Sequence, residues 1–281
     1  MVVLPSRRVG NLVAFTLVTG AISAAGGLVT ATSALAASDA WPSHVSAVYR
    51  VRFAGFDIGT FNFNSSVHAR NYVLSGDARL SALLGAFKWR GLTRTAGRVR
   101  GPRPQPAAYT FDFKTTSARG FLKMSFKRNK VAQVSSSIVV PGRPIPLKPS
   151  HLKAVYDPLS ALMVLTRKRS GANPCKRTLK IFDGKHRFDL KLTFKHKVRF
   201  RRGIGYACSV RYQPIAGHVP NAETRYMASS KAISIVLRPV PGAKLVVPHQ
   251  ISIPTMAGTA TLTAERIDIT TDRQDRIALV N

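Results

Sequence analysis

Alternation of apolar and basic residues constrains this chain more than any other feature. Between His186 and Phe200, Phe188, Leu190, Leu192, Phe194, Val198 and Phe200 share one parity, with His196 among them. Lys191, Lys195, Lys197, Arg199 and Arg201 share the other. Period two is the mark of a half-buried strand, because successive side chains point to opposite faces. The same pattern runs through Val48-Tyr49-Arg50-Val51-Arg52-Phe53 and through Tyr109, Phe111 and Phe113 set against Asp112 and Lys114. Residues 60–64, 72–78, 122–127, 131–140, 206–212, 232–237, 244–247, 250–253 and 259–269 read as further strands, and 81–87 as either a short helix or a strand. Short turns join them, which implies antiparallel pairing, since parallel neighbours need long crossovers. Residues 91–101 are polar and basic, and Pro102, Pro104 and Pro106 follow, so this stretch is expected to be a loop. Pro141, Pro144, Pro146 and Pro149 make a stiff extended lead into the next element.

One helix interrupts the strands. Asp157 suits the cap position, where its carboxylate accepts from first-turn amides, and Pro158 suits the first helical position. Leu159, Leu162, Met163 and Leu165 give an apolar stripe at helical spacing, and Arg167-Lys168-Arg169 favours the negative end. The expectation is a helix over residues 157–168, stopped by Gly171-Ala172-Asn173-Pro174. The chain is mainly β with this one helix. Asp183-Gly184 is read as a two-residue hairpin turn.

Residues 1–36 read as a secretory signal peptide. Arg7 and Arg8 precede a weakly apolar run over residues 12–29, and Ala34-Leu35-Ala36 fits a cleavage site before Ala37. The alternative is a retained anchor helix. No cysteine follows the cleavage site to carry a lipid, and no later apolar run approaches a span. The expectation is a periplasmic protein, not a lipoprotein, with residues 37–281 forming a single β-rich domain. Its 43 basic residues face 12 acidic ones, a formal charge of +31. That surplus favours anionic partners such as envelope lipid or polysaccharide, and export argues against nucleic acid.

Cys175 and Cys208 are the only cysteines. An even count in an exported chain favours a disulfide. Register opposes it. With a two-residue turn, Phe182 pairs with Lys185 and Cys175 lies opposite Leu192. If Phe200 pairs with Tyr206, Cys208 lies opposite Val198. Six residues of strand span about 20 Å, far beyond the roughly 7 Å Cα separation a bridge tolerates. A bridge therefore requires Cys175 to fold back in a loop, which Pro174 permits. It is expected on grounds of compartment.

No catalytic signature is present: there is no Gly-x-Ser-x-Gly elbow, no His-Glu-x-x-His and no phosphate-binding glycine loop. Glu223 and Glu265 are the only glutamates. The histidines show no metal spacing. His196 alone is placed inward by strand phase, as a hydrogen-bonded core residue. No catalytic, cofactor or metal residue is assigned, and no cofactor is expected.

Several segments together carry a family resemblance. They are Tyr49-x-Val51 with Ala54-Gly55-Phe56-x-Ile58-Gly59, then Asp157-Pro158-Leu159-Ser160-Ala161-Leu162. Cys175, Phe182-Asp183-Gly184-Lys185-x-Arg187, Cys208 and Tyr212-x-Pro214-Ile215-Ala216-Gly217 complete the set. The set resembles the DUF3108 family of exported bacterial proteins, in its alphaproteobacterial form, from about Tyr49 to about Ile269. The resemblance implies a fold similar to periplasmic lipoprotein carriers. That fold is a single curved antiparallel sheet, or open half-barrel, holding the helix on its concave side. It implies no activity.

The functional expectation is a non-enzymatic binding or envelope-maintenance protein with a lipophilic ligand in an apolar cavity. The rival is a structural protein docked to anionic lipid or polysaccharide. Its contacts would be Lys191, Lys195, Lys197, Arg199 and Arg201, all expected on one exposed strand face with no acidic residue between Lys191 and Arg202.

Overall fold

The computed structural model describes residues 40–82, 85–139, 141–167, 173–201, 203–272 and 275–280. The expected signal peptide, with Lys168, Arg169 and Arg202, lies outside them. Among the described residues, fourteen strands form one antiparallel sheet. β1 (His44–Phe53), β2 (Phe56–His68), β3 (Asn71–Ala82), β4 (Phe87–Arg100), β5 (Arg103–Thr115), β6 (Arg119–Lys127) and β7 (Lys130–Ser136) make one meander. β8 (Arg177–Phe182), β9 (Arg187–Arg199), β10 (Ile204–Ala216), β11 (Ser234–Pro239), β12 (Val246–Thr255) and β13 (Gly258–Thr270) make a second. Pairing of β1 with β13 joins the two, and β14 (Arg276–Val280) adds to β13.

The sheet is an open half-barrel. Its end strands, β7 and β8, do not pair with each other among the described residues. Residues 153–156 cross the gap instead. Lys153 bridges to Lys130 of β7, and Tyr156 bridges to Ile181 of β8. The Tyr156 amide donates to the Lys180 carbonyl at 2.9 Å, and the Phe182 amide donates back to Tyr156 at 2.9 Å. Edge strands expose unpaired backbone groups, so this connector covers both liabilities at once.

The expected loop over residues 91–106 is confined to a tight turn at Gly101-Pro102, and the rest is strand. β4 runs through Gly91 and Gly97, and β5 begins at Arg103. Pro104 and Pro106 are tolerated because β6 pairs with β5 only from Ala108 onward, so the first five residues of β5 have a neighbour on one side alone. Gly97 is required by packing, since a Cβ there would meet the Gln105 carbonyl and the Tyr72 ring. Of the ambiguous stretch, Ser81 and Ala82 finish β3 and Phe87 opens β4, while Gly85 and Ala86 belong to the turn between them.

Helix α1 (Pro158–Thr166) starts as expected. Asp157 Oδ1 accepts from the amides of Leu159 at 3.1 Å and Ser160 at 2.9 Å. The Thr95 hydroxyl lies 3.1 Å from Asp157 Oδ2, and Ser160 shares a 2.8 Å hydrogen bond with Tyr72. Burial pushes the Asp157 carboxyl above its usual range despite these bonds. The helix ends earlier than expected. Arg167 is extended, bridges to Leu245, and lies over the Trp41 ring. Among the described residues, Arg177 of β8 serves the helix end, its Nη1 donating to the carbonyls of Val164 at 2.8 Å and Leu165 at 3.0 Å.

α1 lies on the concave side, between two apolar clusters. Leu159 and Met163 pack with Tyr72, Leu74 and Ile267, while Ala161 and Leu165 pack with Leu179, Ile235 and Val246. A third cluster fills the seam where the sheet's ends approach: Tyr109, Leu122, Met124, Val131, Val155 and Phe182.

Candidate functional site

Short as it is, α1 does not fill the concavity. A half-open cavity of about 350 Å³ remains between it and strands β8–β12. Ala161, Leu162 and Leu165 form the helix wall; Phe188, Leu190 and Leu192 of β9 form part of the sheet wall. The Tyr212 hydroxyl and Ser234 are the polar side-chain groups of the lining. The other side of α1 is packed shut, leaving about 50 Å³ beside Trp41 and Met163. β9 supplies its wall by period two, with Phe188, Leu190 and Leu192 all turned inward as the alternation predicts.

Met227 closes part of the rim from helix α2 (Ala222–Ser229), a second helix beyond the one expected. Its signal was present in Asn221, whose side chain accepts from the Thr224 amide at 2.8 Å as an N-cap.

A polar cluster adjoins the cavity through Phe188 and Tyr212. The turn at Asp183-Gly184 spans four residues, not two: Phe182 pairs with Arg187, and Asp183 Oδ1 accepts from the amides of Lys185 and His186 at 2.8 and 2.6 Å. Asp183 Oδ2 lies 3.1 Å from His186 Nδ1, and the His186 ring stacks on His218 at 4.6 Å. The Tyr212 hydroxyl meets the edge of His218 at 3.1 Å. Burial, then the charge of His186, holds His218 below its ordinary pKa. For Asp183, burial raises the pKa, but hydrogen bonds from His186 and Lys185 outweigh it and hold it low. Gly217 makes the approach possible, since a Cβ there would strike the Lys185 carbonyl. Sequence spacing hid this pair, because His186 and His218 come from opposite ends of a hairpin. His196, the histidine expected inside, is exposed on the opposite face.

The reason is a β-bulge. Cys208 pairs with Phe194 and Ala207 with His196, so Lys195 is the extra residue and the parity of β9 flips there. Lys191, Lys195, Lys197, Arg199 and Arg201 are all exposed, but they do not form one strip. Lys191 faces with Arg211, whereas Lys197 and Arg199 pair with Tyr206 and Ile204, which share the face of Cys208.

The disulfide between Cys175 and Cys208 is formed, with Cα atoms 5.4 Å apart. The six-residue offset vanishes for identifiable reasons. The longer turn moves the level of Cys175 from Leu192 to Phe194. A tighter β9–β10 turn, with Arg199 opposite Ile204, and the bulge move Cys208 from Val198 to Phe194 as well. Cys175 lies just outside β8, after Pro174, and folds across β9 to its partner.

The fold and cavity define a class: an open antiparallel half-barrel with one helix in its concavity and an apolar space beneath it. The chain belongs to the DUF3108 family, described as a protein of unknown function, whose sequence profile matches residues 48–265. Among solved structures it is similar to the crystal structure of a β-barrel-like protein of the domain of unknown function DUF1849 from Brucella abortus. The identity is 11%, the TM-score 0.50, and the match covers 81% of this chain and 98% of that one. That likeness concerns the fold. No curated protein matches the sequence. No helix among the described residues is long and apolar enough to cross a membrane.

Proposed function

We propose that this chain is an exported, periplasmic, non-enzymatic binding protein that holds one lipophilic ligand in the cavity beneath α1. The observation that carries this reading is the cavity's chemistry: about 350 Å³ walled by carbon, with one phenol and one serine hydroxyl at its lining. Water in such a space has too few partners to be held well. The volume sits near the lower end of ligand pockets, roughly 300–1,000 Å³, which favours a single acyl chain over a two-chain lipid. Burying eight methylenes yields roughly 6 kcal/mol before association costs, enough for weak, exchangeable binding.

Titration with a polarity-sensitive acyl probe tests the reading. Leu190→Trp places bulk in the cavity from a partly exposed position, so the probe should bind at least tenfold more weakly. The variant's melting temperature and absence of free thiols would show that the fold is kept. Equal affinity for the two proteins would exclude this cavity as the site.

A further inference from the structure

The concave side carries the cavity; the opposite face of β3–β6 carries a second surface that nothing above uses. Cross-strand register there sets three parallel rows. Arg79, Arg90, Lys114 and Arg119 are directly opposed across four strands. The next row is Asp77, Leu92, Asp112 and Phe121, and the third is Ser75, Arg94, Thr110 and Lys123. These residues have the parity opposite to Leu74, Thr95 and Leu122, which face the core, so the rows point away from α1. Six cations therefore flank two carboxylates and two exposed apolar side chains. Leu92 is 42% and Phe121 38% exposed.

Like charges opposed across strands repel, so the arrangement is not explained by sheet stability. Asp77 relieves Arg79 and Arg90, which donate to it at 2.9 and 3.0 Å. Arg94, Lys114 and Arg119 have no side-chain hydrogen bond or ion pair among the described residues, and Lys123 lies 5.8 Å over the Phe121 ring. A sheet of four strands is also broad, about 14 Å from Arg79 to Arg119 at the usual strand spacing.

We infer that the outer face of β3–β6 docks the protein on an anionic phospholipid surface. Its two basic rows lie at the headgroup level, and Leu92 and Phe121 enter the interface between them. Charge complementarity selects an anionic partner, and the central apolar pair selects a membrane over a soluble polyanion, which gives exposed Leu and Phe nothing to enter. The surface is distinct from the broken basic strip of β9, and it stands or falls independently of the ligand cavity.

Cosedimentation of protein recovered from expression of the full chain decides the matter. Vesicles containing phosphatidylglycerol should bind it at low salt at least about tenfold more tightly than phosphatidylcholine vesicles, and raised salt should release it. Changing Arg94, Lys114, Arg119 and Lys123 together to Ser should remove most of that binding. Changing Lys191, Lys195, Lys197 and Arg199 together to Ser removes equal charge and should leave binding within about twofold. Equal losses from the two variants would mean that only net charge matters and would overturn the proposal. Leu92→Ser with Phe121→Ser should weaken vesicle binding yet leave retention on an anionic polysaccharide resin unchanged; no effect on vesicles would point to a polyanion instead. Because both native cysteines are bonded, Thr110→Cys can carry a polarity-sensitive dye without altering the basic rows. Its emission should shift to the blue on anionic vesicles, and dye at Thr193→Cys on β9 should not respond. A reversed pattern would also overturn the proposal.

Discussion

Changing Cys175 and Cys208 together to alanine is expected to lower the stability of the folded chain by about 3–4 kcal/mol. The bond closes a loop of sequence separation 33, and most of that figure is the entropy the unfolded chain regains when the loop opens. Both residues are fully buried in the cluster beside the cavity, so smaller side chains add a packing loss. For a domain of this size the shift in melting temperature should be about 6–16 °C. Denaturant unfolding of the two proteins, together with thiol labelling of unreduced, denatured wild type, checks this. Two reactive thiols in the wild type, or an unchanged transition midpoint, would contradict it.

Phe182→Ala should have an effect of similar size, about 3–5 kcal/mol. Phe182 is 1% exposed and is the last residue of β8. Its ring packs with Leu122 and Met124 of β6 and with Val155 of the connector, so it ties one end of the sheet to the other. The loss should be local in character. Amides of Ala154 and Tyr156, which bond to Asn129 and Lys180 across the gap, should exchange much faster, while those of β1 and β13 change little. Hydrogen exchange read residue by residue distinguishes this from uniform destabilisation. Uniform acceleration would mean that the seam is not a separable unit.

The sequence makes the β architecture legible because period two is a local signal: wherever Tyr49, Tyr109 or Leu190 falls, its neighbours report which face it takes. Asp157-Pro158 is legible for the same reason, since a cap acts within its own turn. What escapes is set by partners far along the chain. Pro104 and Pro106 read as loop because nothing local reveals that β6 stops short of them. The bulge at Lys195 contains no glycine and breaks no pattern; it exists because β10 pairs around it. The error in disulfide register came from two turns, off by two and three residues, and from the one-residue bulge, which strand spacing converts into a large distance. The stacking of His186 on His218 needed both the four-residue turn and the close approach of Gly217 to Lys185. The apolar cavity was expected from the resemblance, but its position on the β8–β12 side depends on side-chain packing: Leu159 and Met163 fill the other side of α1 together with Tyr72, Leu74 and Ile267.

Native mass spectrometry of the protein purified gently from its expressing cells tests the central claim most directly. A cavity of this size and lining should retain one lipophilic molecule per chain, released by organic extraction as a single-chain compound and absent from Leu190→Trp prepared alongside. A chain recovered at its bare mass that also fails to take up added single-chain lipid, or a ligand equally present in both proteins, would contradict the account.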